Sequence, residues 1–153
     1  MLLIAEEKIV KFIVLALLLV WAFISLPKET AAQSPELVAA FQKVKALKAQ
    51  GNFSEAEVYA KKALDLGAAE FGPNHNTYAT LLNNLAVLYY DQGRYADAEP
   101  YRKRALEIRE KVLGPDHPDV AHMLNSLALL YYKQGRYVTA EPLYKRSLAI
   151  REK

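Results

Sequence analysis

Two sets of four side chains stand out for what they can exchange with a partner: Thr80, Asn83, Val87 and Tyr90, and, 42 positions later, His122, Asn125, Leu129 and Tyr132. Within each set the spacing is three, four and three residues, which places the members on one face of an α-helix. A hydroxyl or imidazole, an amide, an aliphatic group and a phenol on one face can hydrogen-bond a polar chain and cover apolar atoms together. That is the chemistry of recognition, without bond making. Two other roles fit the same residues. The amides can tie adjacent helices within the fold, and the tyrosines can be partly buried wall, as aromatics at helical spacing usually are.

Bond-making constellations do not assemble from this sequence. His75 and His117 lie one full period apart, and His117 and His122 are five apart, a poor spacing for joint ligation from one helix. There is no HExxH string, no phosphate-cradling glycine loop, and no serine at a recognisable distance from a histidine. With no cysteine, thiolate metal sites, disulfides and cysteine nucleophiles are excluded together. We expect no catalysis, no cofactor and no metal. The carboxylates Glu55, Glu57, Asp97, Glu99 and Glu141 recur at the starts of helices, where negative charge suits the helix dipole. Lys103, Arg104, Arg109, Lys145, Arg146 and Arg151 are interleaved with acids and read as a solvated face with i, i+4 pairs. The net charge of +3 is therefore weak support for a nucleic-acid partner, and an RNA-binding helical repeat is the least favoured reading.

The elements that must position these side chains follow from an internal repeat. Shifting the chain by 42 residues lays 71–111 on 113–153, with 25 of 41 aligned positions identical. A weaker copy precedes them: Gly51, Phe53, Ala56, Glu57, Lys61, Ala63 and Leu64 align with Gly93, Tyr95, Ala98, Glu99, Lys103, Ala105 and Leu106. Leu82, Leu85, Ala86 and Tyr89 form the apolar stripe of one helix, and Tyr95, Ala98, Tyr101, Ala105 and Ile108 that of the next. Gln92-Gly93-Arg94 is the turn between antiparallel partners. Ala86 and Ala98 face each other across it, allowing close helix approach. In the connector Leu113-Gly114-Pro115-Asp116-His117-Pro118, Gly114 stops a helix, Asp116 is positioned to cap the following one, and Pro118 fits its first turn. Pro100 and Pro142 each remove a backbone donor inside a second helix, which predicts that this helix begins late or bends.

Leu82, Leu85, Ala86, Tyr89, Gly93, Tyr95, Ala98 and Ala105, with their counterparts in the last copy, resemble the spaced pattern of tetratricopeptide repeats. The 42-residue period, the LNNLA and YYDQGRY strings and the LGPDHPDV connector resemble the kinesin-light-chain-like subtype. The resemblance implies an all-α fold of helix-turn-helix repeats stacked in a right-handed superhelix, over 33–153. The units are 35–70, a degenerate copy in which Lys43 stands where Leu85 and Leu127 stand, then 71–112 and 113–153. It further implies a noncatalytic module whose first helices line a concave groove for an extended or helical segment of another protein. In similar proteins the asparagine at the place of Asn83 and Asn125 bonds the backbone of the bound peptide.

The first 32 residues differ in kind. Phe12 to Leu26 are fifteen apolar or small residues without charge, preceded by Lys8 and Lys11. As an N-terminal apolar helix the run is roughly 22 Å long, short of a roughly 30 Å hydrocarbon core unless its flanks join in. A cleaved signal peptide, with Thr30-Ala31-Ala32 at the cut, and a retained membrane anchor both fit. In either case the basic start predicts that the repeats lie outside the cytoplasm, periplasmic, secreted or membrane-anchored. At the other end no polar-faced cap follows the third unit, and Leu143, Leu148 and Ile150 include positions that another unit would cover. This predicts end-to-end self-association or a piece of a longer array.

Overall fold

The structure is a computed structural model that describes residues 33–153. The expected N-terminal apolar helix and its signal or anchor role fall on 1–32, outside the described residues. Six helices follow: α1 (Pro35–Ala49), α2 (Phe53–Phe71), α3 (Asn76–Asp91), α4 (Tyr95–Leu113), α5 (Pro118–Lys133) and α6 (Tyr137–Arg151). Each packs chiefly on its neighbours in sequence, so the core is a continuous seam running through the stack. Among the described residues no helix is long and apolar enough to cross a membrane.

The hairpin turns are built alike because glycine occupies the same place in each. Gly93 has φ 72°, which lets its N–H reach the Tyr90 carbonyl at 2.9 Å and the Arg94 N–H reach that of Tyr89 at 2.9 Å. These two bonds satisfy carbonyls that the helix end leaves open and reverse the chain within three residues. The same pair of bonds recurs at Gly51 and Gly135. Beyond the turn, Ala86 and Ala98 are fully buried. Gly67 serves the packing of α2 on α3: a Cβ there would run into Leu81 Cδ1.

The degenerate first copy folds as a helix pair. Leu37, Ala40 and Leu47 are its buried stripe, while Lys43 is exposed with its ammonium 5.9 Å from the Tyr59 ring centre. The charge is tolerated because that part of α1 stays in contact with water.

Two sequence expectations are corrected. His117, and not Asp116, caps α5: its Nδ1 accepts the Asp119 N–H at 3.1 Å, and His75 caps α3 in the same way through Thr77 N–H at 3.2 Å. Both candidates carry an acceptor, and the connector places the second of them at the first non-helical position. Of the two outcomes expected of the prolines, a late start or a bend, the late start does not occur. α4 starts at Tyr95 and α6 at Tyr137, directly after the turns, and both run on through Pro100 and Pro142. The carbonyls deprived of a donor are those of Ala96 and Val138, four residues back on exposed surface, where water can replace the missing N–H.

Candidate functional site

The helices that present the candidate residues, α3 and α5, are fixed to the preceding pair by one arrangement used twice. The Tyr89 hydroxyl donates to Glu57 Oε1 at 2.9 Å, Arg94 Nη1 donates to Oε2 at 2.8 Å, and Lys61 lies 2.7 Å from the same carboxylate. The Arg94 guanidinium also sits 4.4 Å over the Tyr89 ring. One unit on, Tyr131, Arg136 and Lys103 surround Glu99 at 3.1, 2.7 and 2.6 Å, with Arg136 4.2 Å over the Tyr131 ring. Lys61 above all, with Arg94 and Tyr89, outweighs burial and holds the Glu57 carboxyl at about 2. Burial raises Glu99, but Lys103, Tyr131 and Arg136 outweigh it and leave that carboxyl below its ordinary value. Burial and the nearby Glu57 push the Tyr89 phenol up to about 12, so it remains a donor. These carboxylates are more than the solvated helix starts the sequence suggested: they join one helix pair to the next.

The face made by the first helix of each pair opens into two neighbouring clefts between α1 and α3. One, of about 160 Å³, is lined by Phe41, Val44, Lys45 and Lys48 of α1 and by Asn84 and Val87 of α3. The other, of about 110 Å³, adds Gln33, Leu37, Thr77, Thr80 and Leu81, and shares Phe41 and Asn84. Lys48 pairs with Asp91 at 2.6 Å across the end of the first cleft. An apolar floor beside an amide and two ammonium groups is suited to a side chain and main chain of a partner segment.

Thr80 and Val87 of the predicted set therefore line a cleft. The Thr80 hydroxyl is already engaged, donating to the Asn76 carbonyl at 3.3 Å and accepting from Arg109 Nη2 at 3.1 Å. Asn83 is half-buried, and its Oδ1 is out of contact with solvent and has no hydrogen-bond partner among the described residues. Tyr90 is half-buried wall: its ring is 5.2 Å from Tyr95 and 4.8 Å beneath the buried Arg102 guanidinium, which donates to the Ser126 carbonyl of α5. In the second set Asn125 is half-buried, while His122, Leu129 and Tyr132 are exposed. Tyr132 packs edge-on against Tyr137 at 5.1 Å.

The sequence reading missed Asn84, Phe41, Val44, Lys45 and Lys48. Asn84 stands next to Asn83 in the LNNLA string, but the repeat places Ser126 at its position in the next unit, where the hydroxyl is spent on the His122 carbonyl at 3.0 Å. Among the described residues no three His, Asp or Glu side chains gather as metal ligands.

Stacked helix hairpins with an open face formed by their first helices define a helical-repeat interaction protein. The chain belongs to the tetratricopeptide repeat family, whose model matches residues 37–101 and 77–153. Kinesin-light-chain-like proteins are among its structural neighbours. BtubC (BKLC) from P. vanneervenii is 27% identical with a TM-score of 0.70, over 82% of this chain and 50% of that one. A putative kinesin light chain of nearly identical repeats from Podosopora anserina is 22% identical with a TM-score of 0.67, over 80% of this chain and 58% of that one. The TPR domain of Arabidopsis FLU is 20% identical with a TM-score of 0.66, over 79% of this chain and 98% of that domain. The chain thus spans about half the length of the first of these structures. A search of curated proteins returns no match. Repeats of this family are in general noncatalytic modules of protein–protein interaction.

Proposed function

We propose that residues 33–153 hold an extended or helical segment of another protein on the face formed by α1, α3 and α5, outside the cytoplasm. The observation that carries this reading is the pair of clefts between α1 and α3, where Phe41 and Val87 supply an apolar floor and Asn84 a two-way hydrogen-bonding group. On the family's pattern Asn83 and Asn125 extend the same contact along the peptide, with Thr80, Val87, Tyr90, His122, Leu129 and Tyr132 as its borders. Location rests on the uncharged run 12–26 behind Lys8 and Lys11.

The test is capture of partners from an envelope extract by the wild type, by an Asn83→Ala/Asn125→Ala pair and by a Phe41→Ala/Asn84→Ala pair. A specific partner retained by the wild type and lost by the pairs supports groove binding; capture that both pairs leave unchanged sinks it. A phosphatase reporter that is active only after export, fused behind Lys153, is expected to be active in the full chain and silent when 1–32 are deleted. Equal activity in both removes the extracytoplasmic assignment.

A further inference from the structure

The cleft lined by Phe41, Val44, Lys45 and Lys48 of α1 and by Asn84 and Val87 of α3 has a counterpart one period on. Adding 42 to each number gives Asn83, Ala86, Val87 and Tyr90 of α3 and Ser126 and Leu129 of α5. Arg102 of α4 engages two of these six. Its guanidinium lies 4.8 Å from the Tyr90 ring centre and donates to the Ser126 carbonyl, and the residue is only 4% exposed. The side chain thus runs past the ring from α4 to α5. Burial holds the guanidinium below its ordinary value, and Asp91, a carboxylate that opposes this, is paired with Lys48 at 2.6 Å. The Arg102 Nε has no hydrogen-bond partner among the described residues. Arg102 is therefore seated by an aromatic face and a carbonyl and not by an ion pair. In the first unit the equivalent of Arg102 is Ala60, whose side chain ends at Cβ, and the equivalent of Tyr90 is Lys48, drawn aside to Asp91.

We infer that Arg102 sets the specificity of the groove: it fills the α3–α5 counterpart of the cleft, so that the groove takes a single large apolar side chain of its partner, between α1 and α3. This deepens the reading of the α1–α3 clefts and rests on it. Packed helices stand about 8–10 Å apart, which is the span of about three residues of extended chain at roughly 3.3 Å each. An extended partner segment that seats an apolar side chain in the first cleft therefore meets, about three residues along towards α5, the space already occupied by Tyr90 and Arg102. The partner class is a segment with one large apolar anchor and a small or polar residue at that distance from it. A segment with two such anchors at the same spacing is turned away.

The probe is N-acetylphenylalaninamide, titrated into the full chain in detergent with valine and leucine methyl groups labelled for NMR. Val44 reports on the first cleft and Leu129 on its counterpart. In the wild type the Val44 methyls are expected to shift saturably while the Leu129 methyls stay still. Arg102→Ala is expected to add a saturable shift at Leu129, and Arg102→Met, which keeps the volume without the charge, to behave as the wild type. The pair Tyr90→Lys/Arg102→Ala copies Lys48 and Ala60 and removes the ring as well, so that its collapse into the freed space does not mask the result. Circular dichroism checks the helices of each variant; the Ser126 carbonyl lies inside α5 and keeps its own helix bond. Silence at Leu129 in both Arg102→Ala variants while Val44 responds overturns the inference and leaves the cleft reading standing. A response at Leu129 in the wild type or in Arg102→Met overturns it as well, because the space is then open with the side chain's volume in place. Silence at Val44 in the wild type removes the cleft reading and this inference with it.

Discussion

Tyr89→Phe removes one hydroxyl at a position that is otherwise a packed ring, and so isolates what the phenol–carboxylate bond adds to the α2–α3 junction. A neutral donor on a charged acceptor is worth about 1.5–3 kcal/mol when one partner is deleted. Glu57 keeps Lys61 and Arg94 and is partly solvated, which places the expected loss at the low end, about 1–1.5 kcal/mol. For a domain of this size that is a fall in Tm of roughly 3–6 °C. The assay is urea unfolding of the chain from Gln33 onward, followed by far-ultraviolet circular dichroism, with Glu57→Gln and the double variant completing a cycle. The pH dependence has a fixed sign. The Glu57 carboxyl is held at about 2 against an ordinary 4.5, so its contribution is fully present above 4.5 and is lost as pH falls from 4.5 towards 2. The gap between wild type and Tyr89→Phe is therefore flat from neutral pH to about 5 and narrows below that. A loss within about 0.5 kcal/mol of zero, matching that of Tyr132→Phe on exposed surface, refutes the reasoning.

Three further outcomes test the frame around this junction. Ala98→Leu places a large side chain where Ala98 and Ala86 are fully buried and is expected to cost about 1–3 kcal/mol in the same unfolding assay, while Ala96→Leu on the exposed side costs little. Gly93→Ala forces a Cβ into a turn at φ 72° and is expected to cost about 1–2 kcal/mol, although nothing crowds the added atom. His117→Ala removes the cap acceptor of α5 and is expected to cost about 1 kcal/mol and to speed amide exchange at Asp119, whereas His117→Asp keeps protection at that amide.

The helix pairs were legible because the repeat supplies the same local instruction more than once. A glycine five residues before Ala98, small residues facing across it and a 3.6-residue stripe all point to one hairpin, and each recurs 42 residues on. What a local rule handles less well is a choice between adjacent residues. Asp116 and His117 both carry acceptors, and only the backbone path decides which stands at the cap. Pro100 breaks a helix by rule, yet the bond it removes belongs to a carbonyl on the wet side of α4. The rule counts lost bonds, whereas stability depends on whether water can replace them.

The candidate site was legible as a face but not residue by residue, and the reason is geometrical. Adjacent residues differ by 100° around a helix, so the repeat, which marks Asn83 through its copy Asn125, does not reveal that Asn84 is the amide lining the clefts. The clefts also need α1, the helix whose sequence departs most from the repeat, so their aromatic floor at Phe41 has no echo in the other units. The Glu57 and Glu99 junctions were hidden differently. Each glutamate finds its tyrosine 32 residues away, beyond any helical spacing. Aligning the copies makes the signal visible: a glutamate and a lysine recur in every second helix, while a tyrosine and an arginine recur in the first helix and turn of the two later pairs. The acceptor half thus occurs three times and the donor half twice.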